Sequence, residues 1–76
     1  LRHPSALSGS PLSPREGEVL ELAAQGLGNV AIAHDLGVTQ TTVKNHMTSI
    51  MQKLNANDRT HAVTIALGRH WISNPS

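Results

Sequence analysis

The chain has 76 residues, with six Lys/Arg, five Asp/Glu and five His and a formal charge of +1, so it is at most one small domain with a compact core. The absence of cysteine and of Phe and Tyr, with a single Trp, excludes disulfides, thiolate metal sites and an aromatic platform for stacking unpaired bases. No apolar run approaches the length of a membrane span and no signal peptide is visible; a cytoplasmic location is expected, and a first residue other than Met suggests a piece of a longer protein.

Residues 1–11 are rich in Ser, Pro and Gly without an apolar period, and read as a linker or tail. The first helix is announced by Ser13-Pro14-Arg15-Glu16. Ser13 can cap, Pro14 suits the first helical position, and Glu16 completes a capping box while meeting the positive end of the helix dipole. Leu12 before the cap can act as a hydrophobic staple. The helix runs through Val19, Leu20, Leu22, Ala23 and Ala24 to Gly26, a suitable terminating glycine, and Leu27 packs back onto the core.

A short second helix is expected from Gly28-Asn29, with Asn29 as its cap and Val30 to Leu36 as its body. Ile32, Ala33 and Leu36 keep the three-and-four spacing of a buried face. Gly37 tolerates the positive φ that stops a helix and turns the chain sharply. Val38 then plugs the core and Thr39 caps the third helix. Two helices joined by a short Gly-containing turn outline a helix-turn-helix.

In the third helix Val43, Met47, Ile50 and Leu54 fall within a wedge of roughly 60° at the α-helical repeat, a narrow seam ready for burial. Thr41, Lys44, Asn45, Thr48 and Gln52 fall opposite, and no carboxylate occurs anywhere in the helix. A soluble helix usually shows both signs of charge, so a polar, cationic stripe without Asp or Glu points to an anionic partner. Glu16, Glu18, Glu21, Asp35 and Asp58 all lie elsewhere, whereas Lys44 and Lys53 lie within it.

Asn55-Ala56-Asn57-Asp58 breaks this helix and caps a fourth, from Arg59 to Gly68 or His70. Val63 and Leu67, flanked by Thr60 and Ala66, are expected to close the core. Ile65 points nearly the other way, near Ala62, Arg69 and His61. Trp71 and Ile72 fold over the end of the core, and 73–76 is tail. The fold class is all-α, with four helices forming one domain over residues 12–72.

Several of these pieces, in order, resemble a known family: Leu12-Ser13-Pro14-Arg15-Glu16 with Glu18-Val19-Leu20, then Ala24-Gln25-Gly26-Leu27 with Asn29, Ile32-Ala33, Thr42-Val43-Lys44 with His46, Lys53-Leu54, and Asp58-Arg59-Thr60 with Ala62-Val63. Each is weak alone; together they are similar to the LuxR/FixJ (NarL-type) effector domain of bacterial transcription regulators. The resemblance implies a LuxR-type helix-turn-helix that binds double-stranded DNA as a homodimer, with its third helix in the major groove and its fourth in the dimer contact. It also implies an N-terminal receiver domain outside this chain, or in other members a ligand-sensing one, and RNA polymerase is a candidate partner. Gly28, Val30 and Ala31 depart from the Ser, Lys and Glu usual in the family, which removes a phosphate-binding Lys.

Within that frame Lys44 can reach a guanine O6/N7 edge or a phosphate, Asn45 can pair bidentately with adenine, and Thr48 can offer a hydroxyl or a methyl to thymine. Each also has a plain reading as a solvated surface residue. Thr41 and Thr42, in the first turn, can hold a phosphate through hydroxyls and free N–H groups, or serve as caps beside Thr39. Asn29 can hold a phosphate through its backbone N–H, and Gln40 is a flanking contact. His46 reads first as a half-buried histidine and second as a phosphate contact. Lys53 and Arg59 are open between an ion pair with Glu16 or Asp58 and a phosphate. Ala62, Ile65 and Ala66, with Arg69, form the candidate dimer interface.

No cofactor or metal is expected. Of the histidines only His61 and His70 approach a shared face, and they are too far apart for one turn. No Ser/His/Asp or paired-carboxylate arrangement supports an enzyme. Two rivals remain: a sigma-factor-like helix-turn-helix, expected to be more basic, and a helical protein-interaction module without DNA contact that uses Ile65 or the Met47/Met51 surface.

Overall fold

Ser13 starts α1 (Pro14–Ala24) with both halves of the capping box in place: its Oγ accepts from the Glu16 N–H at 3.1 Å and the Glu16 carboxylate accepts from the Ser13 N–H at 2.9 Å. The computed structural model describes residues 9–73, and α1 is followed there by α2 (Asn29–Leu36), α3 (Gln40–Leu54) and α4 (Arg59–Gly68), with no strand among the described residues. Residues 1–8 of the expected linker and 74–76 of the expected tail lie outside the described residues. No helix among those described is long and apolar enough to cross a membrane.

All four helices end in the same way. A residue at positive φ (Gly26 at 94°, Gly37 at 70°, Asn55 at 54°, His70 at 61°) turns the chain out of the helix. The next residue's N–H then closes on a carbonyl five positions back: Leu27 on Leu22, Val38 on Ala33, Ala56 on Met51 and Trp71 on Ala66, at 2.9–3.2 Å. This satisfies carbonyls that would otherwise be orphaned, and it folds Leu27, Val38, Ala56 and Trp71, all half-buried, back against the core. An added Cβ at Gly37 would meet nothing within 4 Å, so the cost of Gly37→Ala is backbone strain alone. We expect a loss of about 1–2 kcal/mol, read as a lower urea midpoint with an unchanged slope.

The core is aliphatic, as a composition without Phe or Tyr requires. Leu20, Ile32, Ile50, Val19 and Val43 are its largest fully buried side chains, joined by Leu12, Met47, Leu54 and Ile72. The α3 seam is buried as its spacing predicts.

Two readings are corrected. The N-cap of α2 is Gly28, without a side-chain bond, and Asn29 is the first helical residue; its side chain is engaged elsewhere. On α4, Ala62 and Ala66 are wholly buried while Val63 and Leu67 are only half-buried. The helix is therefore rotated relative to a reading weighted by hydrophobicity. It turns its smallest side chains inward because they let its backbone approach α1 and α3 closely, and interaxial distance depends on the side chains at the contact.

Candidate nucleic-acid interface

The third helix is held from both ends. At its start Thr39 accepts from the Thr42 N–H at 3.1 Å, and the two hydroxyls share a further bond at 3.0 Å. Toward its end, Ser49 and Lys53 both donate to Glu16 of α1, at 2.7 Å each. Glu16 is 5% exposed. Burial pushes its carboxyl up, but bonds from Lys53, Ser13 and Ser49 outweigh that and hold it at about 2, below its ordinary 4.5. One carboxylate thus caps α1 and fixes the rotation of α3, and Lys53 is taken up internally.

With its seam anchored, α3 presents Gln40, Thr41, Lys44, Asn45, Thr48 and Gln52 to solvent. Among the described residues, neither Lys44 nor Asn45 has a side-chain hydrogen bond or ion pair within the fold. Thr48 donates its hydroxyl proton to the Lys44 carbonyl at 3.0 Å, which leaves its lone pairs and its methyl outward. His46 is half-buried at the border of seam and stripe.

Of its two expected readings, Thr42 takes that of a cap beside Thr39. Its amide and its hydroxyl are both engaged with Thr39, so it has no free N–H for a phosphate. The first-turn amides without a side-chain cap belong to Gln40 and Thr41.

Asn29 and Arg59 form a bridge that sequence reading does not disclose. Arg59, at the start of α4, donates to Asn29 Oδ1 at 2.6 Å and to the Leu27 carbonyl. Among the described residues it is paired with neither Asp58 nor another carboxylate; Asp58 instead caps α4 by accepting from the His61 N–H at 2.8 Å. The bridge ties the start of α2 to α4 and leaves the first amides of α2 uncapped by Gly28. A partner thirty residues away has no local signal, and only the Asp58-Arg59-Thr60 motif marks the position.

The expected dimer surface loses two members. Ala62 and Ala66 are 0% exposed and belong to the core. Ile65 is half-buried and Arg69 is exposed, its guanidinium 5.5 Å from the centre of the Trp71 ring. Val63 and Leu67 are the other apolar side chains of α4 left partly open. No group of three or more His, Cys, Asp or Glu that could hold a metal gathers among the described residues.

Comparison with known proteins places this geometry. Residues 10–66 match the model of the family described as bacterial regulatory proteins, luxR family. The chain is similar to the transcriptional regulatory protein YdfI of Bacillus subtilis, 55% identical over 56 residues that cover 74% of this chain and 26% of that protein. It is also similar to the transcriptional activator protein BjaR1 of Bradyrhizobium diazoefficiens, 41% identical over 75 residues that cover 99% and 31%. Among the solved structures, that of the transcription factor GerE superposes with a TM-score of 0.78 at 29% identity, over 82% of this chain and 92% of that one. The chain thus spans less than a third of the length of either of these two curated relatives.

Proposed function

This chain belongs to the luxR family of bacterial regulatory proteins, and from that premise we propose that it is the sequence-specific DNA-binding domain of a transcription regulator, working as a homodimer with α3 in the major groove. Supporting this reading most directly is the α3 stripe: six exposed polar or cationic side chains on a helix with no carboxylate. The major groove is about 12 Å wide and admits one α-helix.

Lys44, Asn45 and Thr48 discriminate base edges. Gln40, Thr41 and His46, with the backbone N–H of Asn29, position the domain on phosphates, where the uncapped start of α2 adds dipole and amides. Thr42 acts here as part of the α3 cap. The two copies meet through the open side of α4, at Ile65 and Arg69 with Val63 or Leu67, and read half-sites about one turn of DNA apart. In the longer protein, a receiver domain ahead of this one carries the signal and RNA polymerase is a downstream partner. Neither catalysis nor a cofactor enters the proposal, which places its action in the cytoplasm.

The test is the salt dependence of duplex affinity. Each phosphate neutralised contributes about −0.9 to the slope of log affinity against log salt, so a steep linear fall is expected. A flat response would instead favour a protein-interaction module. Against a duplex selected from a random library, Lys44→Ala is expected to cost about 1–3 kcal/mol, with much less lost on a scrambled duplex. Wild-type affinity of that variant in a gel shift would remove Lys44 from the base contacts.

A further inference from the structure

Of the five carboxylates in the chain, Glu16 is used in the core and Asp58 in a cap. The other three, Glu18, Glu21 and Asp35, line a single groove between α1 and α2, with Gln25 on its wall and the half-buried Leu22 and Leu36 on its floor. The outward negative charge of the domain is thus gathered in one place. Among the described residues it is lightly compensated: Glu18 meets Arg15 at 3.2 Å in an exposed pair, and Glu21 accepts a long 3.4 Å bond from the Ser73 N–H.

The groove measures about 210 Å³. Small-molecule sites run to about 300–1,000 Å³, so this one has room for a side chain or two of a partner rather than a metabolite. Its position also matters. α1 packs on the core through Glu16, Val19 and Leu20, and Glu18, Glu21, Leu22 and Gln25 lie on the other side of that helix. α3 packs on the same core through its own seam, so its exposed stripe and the groove face away from each other.

We propose that the groove docks a basic amphipathic helix of a partner protein, with an Arg or Lys lying among Glu18, Glu21 and Asp35 and an apolar neighbour on Leu22 and Leu36. Charge complementarity selects this occupant. Three carboxylates repel nucleic acid and acidic segments, and the paired leucines reward an apolar residue one helical turn from the cation. The proposal goes beyond DNA binding and does not depend on it.

The probe is a fluorescein-labelled, alanine-rich helical peptide of about 16 residues bearing two Arg and two Leu at i, i+3, i+4 and i+7, followed by fluorescence anisotropy with the intact chain. Binding is expected to weaken about tenfold or more in Glu21→Lys and in Asp35→Lys, and to be unchanged in Lys44→Ala. A peptide with Glu in place of Arg is expected not to bind the wild-type chain but to bind the doubly reversed variant. Both reversals lie on the surface, and circular dichroism checks that each variant is folded. The proposal is overturned if the Arg peptide does not bind, if it binds both reversed variants as tightly as wild type, or if Lys44→Ala weakens it equally.

Discussion

Replacing Glu16 with glutamine is expected to remove about 3 kcal/mol of folding stability at neutral pH and to flatten the loss of stability in acid. The magnitude follows from a carboxyl held at about 2 against an ordinary 4.5, at 1.36 kcal/mol for each pKa unit. The folded value is the lower one, so the ionised carboxylate contributes its full stability above about pH 4.5, and that contribution drains away as pH falls toward about 2. The glutamine amide oxygen still accepts from the Ser13 N–H, so the capping box survives, while its NH2 group replaces the oxygen to which Ser49 donates and Lys53 loses its anion. Lys53 is 39% exposed at its side chain and returns to water at little cost, so most of the loss falls on the buried side of the network. Urea unfolding at about pH 6 and about pH 3 measures the effect. Wild type is expected to lose stability between the two pH values, and the glutamine variant to change much less. Equal acid sensitivity in both would show that Glu16 is not the titrating group.

Ile50→Ala is the other severe change. Ile50 is fully buried in the middle of the α3 seam, and truncating such a side chain costs about 2–5 kcal/mol through lost transfer energy and the cavity left behind. A core in a chain of this length rarely supplies more than about 3–5 kcal/mol in total. We expect a largely unfolded chain at 25 °C, with helical ellipticity and duplex binding lost together, because α3 has no anchor once its seam opens. Ile50→Val is expected to cost only about 0.5–1.5 kcal/mol and to keep binding. If Ile50→Ala retained a wild-type urea midpoint, the seam would not be the element that holds α3.

What the sequence discloses here is what is local. The Ser13/Glu16 box, the Thr39 cap and the Gly37 turn depend on residues three or four positions apart, and the Val43–Met47–Ile50–Leu54 seam on a single helical period. All were legible because no distant partner decides them. The face of α4 was not. Alanine contributes little to a hydrophobic wheel, so Val63 and Leu67 outweigh Ala62 and Ala66 on paper, whereas in the fold the distance of closest approach decides. The Arg59 bridge to Asn29 and Leu27 crosses thirty residues and follows from where two helix starts meet. Lys53 was readable only as one of a pair of alternatives, since choosing Glu16 requires knowing how α1 lies on α3. For the candidate interface, outward orientation was legible from periodicity, but the choice between cap and phosphate contact for Thr42 is made only by its hydrogen bonds to Thr39.

The polarity of the domain, cationic along α3 and acidic in the α1–α2 groove, gives the most direct test of DNA reading by α3. The measurement is a titration of the 15N-labelled chain with duplex DNA at low salt, following every backbone amide. Expected are shifts concentrated at Gln40, Thr41, Lys44, Asn45 and Thr48 and at the start of α2, with Glu18, Glu21 and Asp35 unmoved. Shifts centred on the α1–α2 groove, with α3 silent, would contradict it.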